Sequence, residues 1–255
     1  MSNGTFTPAP GSAPLARQVR AQARMESRLL LRNGEQLLLA VVIPVIVLVA
    51  GIVGADRIDL DLAGEPVDLF APGVLALAIM STAFTSLAIA TGFERRYGVI
   101  KRLGASPLPR HGLLLGKVGA LVLVEALQVV VLSGIALALG WSPDVAWLGA
   151  ALTLVLGTSA FASLGLFVAG VFRAEATLAV ANLLYLLLMV GGAVVIPPDQ
   201  YGAAGDWVVW LPSGALGEAA RASLGHGTVD WAALLILAGW TALGTVLTTR
   251  TFRWE

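Results

Sequence analysis

The sequence is poor in charged residues and has no cysteine. Of its 255 residues, 13% are charged and 57% are apolar, whereas soluble globular proteins carry about 25% charged residues. So few charges cannot cover a water-soluble surface. The absence of cysteine excludes disulfides, thiolate metal sites and thiol catalysis, and His111 and His226 alone cannot build a multi-histidine metal site. The composition predicts a polytopic membrane protein and argues against a soluble enzyme.

Long apolar runs supply the transmembrane segments. A bilayer core about 30 Å thick needs about 20 apolar residues in a helix. Six runs meet this requirement, and Glu125 is the single ionisable residue inside them. The predicted spans are 36–55, 69–93, 118–143, 145–172, 176–198 and 231–249. None alternates as a transmembrane strand does. We therefore expect an all-α integral membrane protein with six transmembrane helices.

The basic residues are distributed unequally between the loops. Six spans place both termini, the 94–117 loop and the 173–175 turn on one side, which then holds 14 of the 16 Lys and Arg residues. By the positive-inside rule this side is cytoplasmic. Five tryptophans fall near the opposite interface, as in an aromatic belt: Trp141, Trp147, Trp207, Trp210 and Trp231.

The N-terminal region divides into two segments before the six-helix domain at 34–255. Residues 1–14 are rich in Pro, Gly, Ser and Thr, and we expect a disordered cytoplasmic tail. Over 15–33, arginines recur every three or four residues from Arg17 to Arg28 beside apolar positions. This pattern predicts a helix lying on the inner membrane face. The alternative is a positive flank that only orients the first span.

The largest cytoplasmic loop, 94–117, mixes charges with Tyr97, Ile100 and Leu103. It predicts a short helix with an apolar face, ended by Ser106-Pro107. Such a face is either a docking surface or part of a basic loop resting on anionic lipid. The stretch from Gly112 to Lys117 lacks the spacing of a phosphate-binding loop. If ATP is needed, another chain should hydrolyse it.

The outer segment 197–230 is too polar to span the bilayer. We expect a partly re-entrant pair of short helices, since irregular backbone is tolerated there when protein buries it. The second helix is predicted over 215–224, with Ser213 as its N-cap and Gly225 as its C-cap.

Several polar residues inside the spans are candidates for a buried site. Glu125 is either a proton-coupling or cation-binding group, or a structural partner of Gln128 or Asn182. Hydroxyl groups at helical spacing mark helix packing or line a translocation path. The candidate path or buried polar residues are Ser81, Thr85, Glu125, Gln128, Ser159 and Asn182.

Three regions carry a family resemblance. Leu31-Arg32-Asn33 precedes an apolar run that contains Pro44, and Trp210-Leu211-Pro212 precedes a short helix ending near Arg221. The loop between the second and third spans carries Glu94-Arg95, Gly98, Lys101-Arg102-Leu103, Ser106-Pro107-Leu108, Arg110 and Gly116-Lys117. In these features, and over nearly the whole chain, the sequence resembles the permease subunits of ABC-2 type exporters (type V ABC transporters).

The resemblance implies a permease that pairs with a second copy of itself or with a paralogue. The pair would bind two copies of a separate ABC ATPase. It would lie in the membrane lipid of a bacterial cytoplasmic (inner) membrane. ATP and Mg would bind to the ATPase, and this chain would hold no cofactor, catalytic residue or metal site and bind no nucleic acid. Segment 15–33 becomes the connecting helix, and 94–112 becomes the coupling helix. The implied ATPase-coupling residues are Glu94, Arg95, Arg96, Tyr97, Gly98, Ile100, Lys101, Arg102, Leu103 and Pro107. The expected function is export of a hydrophobic or amphipathic substrate such as a drug, lipid or glycolipid.

Two other functions are open to a polytopic membrane protein of this kind. A proton-coupled secondary transporter would use Glu125, but the two three-helix halves share no pair of broken helices, the usual sign of a midplane site. A membrane-buried Ser–His protease is disfavoured because neither histidine falls inside a span. The sequence favours the exporter permease.

Overall fold

A computed structural model describes residues 13–32, 34–58, 65–104 and 109–251. Within these residues all regular structure is helical and there is no strand. Five segments are long and apolar enough to cross a membrane: Pro66–Arg96, Leu115–Ala138, Trp147–Val171, Ala174–Gly191 and Trp231–Thr251. A shorter apolar stretch, Ala40–Ala55, lies in the helix that holds the first predicted span. The prediction of an all-α, multi-span membrane protein is confirmed, while the sixth span stays a prediction.

Eleven α-helices follow one another along the described residues. They are α1 (Leu15–Arg32), α2 (Gly34–Ile58), α3 (Pro66–Met80), α4 (Leu87–Arg96), α5 (Val99–Gly104), α6 (Arg110–Ala138), α7 (Trp147–Val171), α8 (Ala174–Gly191), α9 (Gly205–Val208), α10 (Pro212–Gly225) and α11 (Trp231–Thr251). A π-helical segment, Ser81–Ser86, joins α3 to α4 within one continuous span, and a 3₁₀ segment, Pro198–Ala204, precedes α9.

The centre of the fold is α3. Its residues from Phe70 to Met80 are all buried, and it packs against α2, α6, α7 and α10. The π-helical segment that follows contacts α7 backbone to backbone, since a Cβ atom at Gly165 would lie 2.8 Å from the carbonyl oxygen of Phe84. Phe84 and Phe161 also meet edge to face, with ring centroids 6.3 Å apart. By contrast, apolar side chains of α8 such as Leu183 and Leu187 are exposed. Lipid or another protein must therefore cover this helix.

Two predicted spans end earlier than expected. The helix predicted to reach residue 143 stops at Ala138, and Gly140 adopts a positive φ of 98° in the turn that follows. The helix predicted to reach residue 198 stops at Gly191. Residues 192–197 are not helical, and Ala193 has a positive φ of 53°. The cause is tertiary, because this segment packs between two glycines, Gly73 of α3 and Gly217 of α10, where a Cβ atom would lie 2.7 Å from its carbonyl oxygens.

The short helices before α11 form, but their predicted caps are wrong. α10 begins at Pro212, with Leu211 in the N-cap position and proline at the first helical position. Ser213 is therefore inside the first turn, where it is fully buried. Gly225 is the last helical residue and His226 takes the C-cap position. The tight turn falls two residues later, at Gly227, whose φ is 62°.

Candidate functional site

Glu125 lies in the interior of the helical domain. Its side chain on α6 is 1% exposed, and the hydroxyl of Thr158 on α7 donates a hydrogen bond of 2.7 Å to Glu125 Oε2. The hydrogen-bond partner of Glu125 is thus Thr158, and not Gln128 or Asn182, the two partners that the sequence suggested. Spacing could not identify Thr158, because the contact joins residues 33 positions apart.

One turn further along α6, Gln128 joins three elements. The hydroxyl of Thr82 donates to Gln128 Oε1 at 2.9 Å, and Gln128 Nε2 donates to the carbonyl oxygen of Ala40 on α2 at 2.8 Å. Ala40 lies four residues before Pro44, and proline has no N–H to give to that carbonyl. Gln128 therefore supplies the donor that Pro44 removes from α2.

The other predicted path residues do not join this group. Ser81 and Thr85 are half-buried in the π-helical segment, and the Thr85 hydroxyl has no hydrogen-bond partner among the described residues. The hydroxyl of Ser159 donates to the carbonyl of Val155 in its own helix at 2.7 Å. Asn182 is exposed on α8. The structure thus brings Glu125 together with Thr158 and Gln128 together with Thr82, and leaves Ser159 and Asn182 apart.

A buried ion cluster lies at the end of the helices that the sequence predicts to be cytoplasmic. Lys117 Nζ on α6 is 2.6 Å from the carboxylate of Glu94 on α4 and 3.3 Å from Glu26 Oε1 on α1. The Lys117 side chain is 7% exposed, and Gln22 also donates to Glu26 Oε1, at 2.8 Å. The sequence pattern predicts no role for Glu26, and Lys117 appears in it only as part of the family pattern and of the stretch from Gly112 that lacks phosphate-binding spacing. The available signal was that Glu26 is the one acidic residue of an arginine-rich helix.

The predicted coupling segment contains the short helix α5. Gly98 turns the chain into it with a positive φ of 67°, and Arg102 Nη2 donates to the carbonyl of Tyr97 at 2.9 Å. Tyr97 is 63% exposed and stacks on Phe93, with ring centroids 6.2 Å apart. Lys101 is exposed and Leu103 is half-buried. The side chain of Ile100 and the whole of Pro107 lie outside the described residues.

The two arginines before α5 contact other spans. Arg95 donates to the carbonyl oxygen of Ala169 near the end of α7, and Arg96 forms an ion pair with Glu175 on α8. Both line a cleft of about 980 Å³. The cleft is also lined by Arg173 and Arg250. This end of the domain is therefore strongly basic around the base of α5.

At the opposite end, Arg221 on α10 binds the irregular segment after α8. Its Nη2 donates to the carbonyl of Ala193 at 2.9 Å and its Nη1 to that of Val194 at 3.2 Å. Glu218 accepts from Arg221 Nε at 2.9 Å. Burial lowers the pKa of the Arg221 guanidinium, and the Glu218 carboxylate opposes that shift. Arg221 thus satisfies backbone carbonyls of the irregular segment that follows α8.

These features agree with comparisons to known proteins. The sequence profile of the ABC-2 type transporter family matches residues 13–221, which include α1 through most of α10. A relative from Bacillus subtilis (strain 168), "Putative transport permease YvfS", is 27% identical over 177 residues, which cover 67% of this chain and 71% of that protein. A multi-span helical protein whose sequence matches the profile over most of its length is a membrane component of a transporter. The chain belongs to the ABC-2 type transporter family.

Proposed function

We propose that this chain is the permease subunit of an ATP-driven exporter that moves a hydrophobic or amphipathic substrate outward. Membership of the ABC-2 type family carries this proposal. It favours a permease over a proton-coupled transporter built on Glu125. The substrate class rests on the resemblance of the sequence to the family.

The partner that supplies energy is a separate ABC ATPase, present in two copies, which binds ATP and Mg. Its docking site on this chain is the α5 region, where the exposed ring of Tyr97 just before α5 lies 5.9 Å from the guanidinium of Arg96, and Lys101 of α5 is exposed. Aromatic anchors surrounded by charges are typical of specific protein interfaces. The cleft at the end of α4, lined by Arg95 and Arg96, also includes residues of α8 and α11.

The translocation path requires a second permease, either another copy of this chain or a paralogue. Gln128 is bound by Thr82 and Glu125 by Thr158 through one of its two carboxylate oxygens, so their first role is to hold the helices together, while Glu125 Oε1 has no hydrogen-bond partner among the described residues. Asn182 differs, because it is exposed on α8 among apolar side chains. Of the predicted path residues, it is the one that a substrate or a second permease reaches most easily.

The orientation that we propose has both termini and α5 in the cytoplasm of a bacterial cell, with the chain in the inner membrane. Its support is the distribution of Lys and Arg residues. Arg95, Arg96, Arg173 and Arg250 line one cleft at this end, whereas Arg221 lies at the other end beside Asp199 and Glu218.

Co-purification tests the proposed pairing. The tagged chain is purified from membranes of cells that also express a candidate ABC ATPase of the same organism, and from cells that do not. We expect the ATPase to co-purify and the complex to hydrolyse ATP, while the chain alone shows no hydrolysis. Hydrolysis by the chain alone, or failure of any ABC ATPase to bind it, contradicts the proposal.

A further inference from the structure

The cluster of Glu26, Glu94 and Lys117, called here the lysine bridge, joins three helices that are far apart in sequence. One ammonium group contacts a carboxylate on α1 and another on α4, at 3.3 and 2.6 Å. The two carboxylate side chains are 12% and 22% exposed. Removing one partner of such a buried group leaves an uncompensated charge, so the three side chains hold one another strongly in place.

Beside the lysine bridge, the backbones of α1 and α6 are closely packed. The residue before Lys117 is Gly116, where a Cβ atom would lie 2.8 Å from Cβ of Gln22. One turn later, a Cβ atom at Gly119 would lie 3.3 Å from Cβ of Ala23. The first turns of α6 therefore pack directly against α1, and the salt bridge to Glu26 forms on the same face of α1.

The position of Glu94 gives the lysine bridge a functional meaning. Glu94 is in the last turn of α4, two residues before the helix ends, and α5 begins at Val99 after the Tyr97-Gly98 turn. Whatever moves α5 therefore pulls first on the end of α4. Lys117 connects that end to α6 and, through Glu26, to α1, which leads into α2 after residue 33.

We propose that Lys117 is a positioning residue that joins α1 and the end of α4 to α6, so that a partner acting on α5 moves these helices as one unit. The inference rests on the proposed function, in which that partner is the ATPase. The role is distinct from docking, because Lys117 is too deeply buried to contact a partner.

Disulfide cross-linking tests the geometry without any activity. The chain has no cysteine, so the pair Ala23→Cys and Gly119→Cys reports only on the contact between α1 and α6, at a Cβ separation close to that of a disulfide. With Lys117→Met we expect oxidative cross-linking in membranes to slow severalfold, because the ion pair that holds α1 against α6 is lost and the buried carboxylates are left unpaired. Lys117→Arg should keep the original rate. The pair Gly149→Cys and Ser223→Cys, which joins α7 to α10, is the control and should be unaffected.

The milder variant Glu26→Gln guards against simple misfolding. It leaves the Lys117–Glu94 pair intact and replaces the ion pair to α1 by a weaker hydrogen bond to a neutral amide oxygen, so the chain should stay monodisperse in size-exclusion chromatography. We expect slower cross-linking of the α1–α6 pair in this variant also. Unchanged cross-linking in both Lys117→Met and Glu26→Gln overturns the proposal.

The assembled complex tests the consequence. With Lys117→Met, we expect the ATPase still to co-purify, since α5 is untouched, but ATP hydrolysis by the complex to lose the stimulation that the permease confers. Glu26→Gln should lose part of that stimulation, and oxidising the Ala23→Cys, Gly119→Cys pair in the Glu26→Gln chain should restore it, because the disulfide replaces the link between α1 and α6 while Lys117 still holds Glu94. Failure of the disulfide to restore it overturns the positioning role. If no ATPase binds the wild-type chain, the proposed function fails. The cross-linking rates still test whether Lys117 holds α1 against α6, because they do not depend on an ATPase.

Discussion

Gln128 donates a hydrogen bond of 2.8 Å to the carbonyl oxygen of Ala40, the carbonyl that Pro44 leaves without a donor inside α2. A helix that crosses lipid must satisfy every backbone polar group. A side chain on α6 thus compensates for a proline on α2, and Thr82 fixes the same amide from the other side. The compensation ties α2 to α6.

This relationship predicts a stability that depends on two distant positions. Gln128→Leu should lower the thermal stability of the detergent-solubilised chain, with a loss of about 1–2 kcal/mol, the size of interhelical hydrogen bonds in membranes. In a Pro44→Ala background the new backbone N–H serves Ala40, so the same substitution should cost measurably less. Thermal unfolding of the four chains in this double-mutant cycle measures the difference.

Ser159→Ala is the control for that experiment, because its hydroxyl bonds only to its own helix. Equal losses for Gln128→Leu with and without Pro44 would contradict the account of this contact.

The carboxylate of Glu125 gives a second prediction. Glu125→Gln retains an oxygen that accepts from Thr158, so the chain should fold and assemble normally, and transport should fall only modestly. Thr158→Val, which removes the donor, should be at least as harmful to stability. Export and size-exclusion profiles of both variants check this. Complete loss of transport in a normally assembled Glu125→Gln chain would instead favour an ion-coupling role.

Much of the fold could be predicted from the apolar runs. The spans predicted at 145–172 and 231–249 correspond to helices at Trp147–Val171 and Trp231–Thr251, because an uninterrupted apolar run of this length has few other stable forms in a membrane. Helix ends were less predictable where tertiary packing decides them. α8 stops at Gly191 because the next residues pack between Gly73 and Gly217. No local sequence pattern predicts that tertiary contact.

The polar contacts could be predicted only in part. The sequence identified Glu125 and Gln128 as buried, since polar residues are rare in a span. Their partners Thr158 and Ala40, and the pairing of Lys117 with Glu26, depend on which helices become neighbours. Periodicity along one helix carries no information about its neighbour, so these contacts needed the structure.

The hydrogen bonds of Arg221 predict what its substitution does to the segment 192–204. Arg221→Met would leave the carbonyls of Ala193 and Val194 unpaired, a loss of about 1–3 kcal/mol for buried polar groups. We expect lower thermal stability and faster proteolysis within 192–204. Arg250→Met, at the exposed end of α11, is the matched control and should change neither. Unaltered proteolysis in Arg221→Met would show that Arg221 does not hold this segment.

The coupling segment predicts a ranking of variants. Ile100→Ala with Leu103→Ala should weaken ATPase co-purification and abolish transport, since anchor side chains cost about 2 kcal/mol or more when truncated. Lys101→Ala and Arg102→Ala should have smaller effects that depend on salt. A pull-down at two salt concentrations measures the ranking, and protease accessibility checks the topology. If the loop only rests on lipid, the ranking inverts, with loss of charge disturbing orientation and loss of apolar side chains doing nothing.

The central claim is that this chain transports only when a separate ATPase drives it. The most direct measurement compares ATP hydrolysis and outward movement of a fluorescent phospholipid analogue in proteoliposomes that contain this chain alone or together with its cognate ATPase, with and without a proton gradient. We expect both activities only when the ATPase and ATP are present, and no dependence on the proton gradient. Substantial movement by the purified chain alone, above all movement driven by the proton gradient, would contradict the permease assignment.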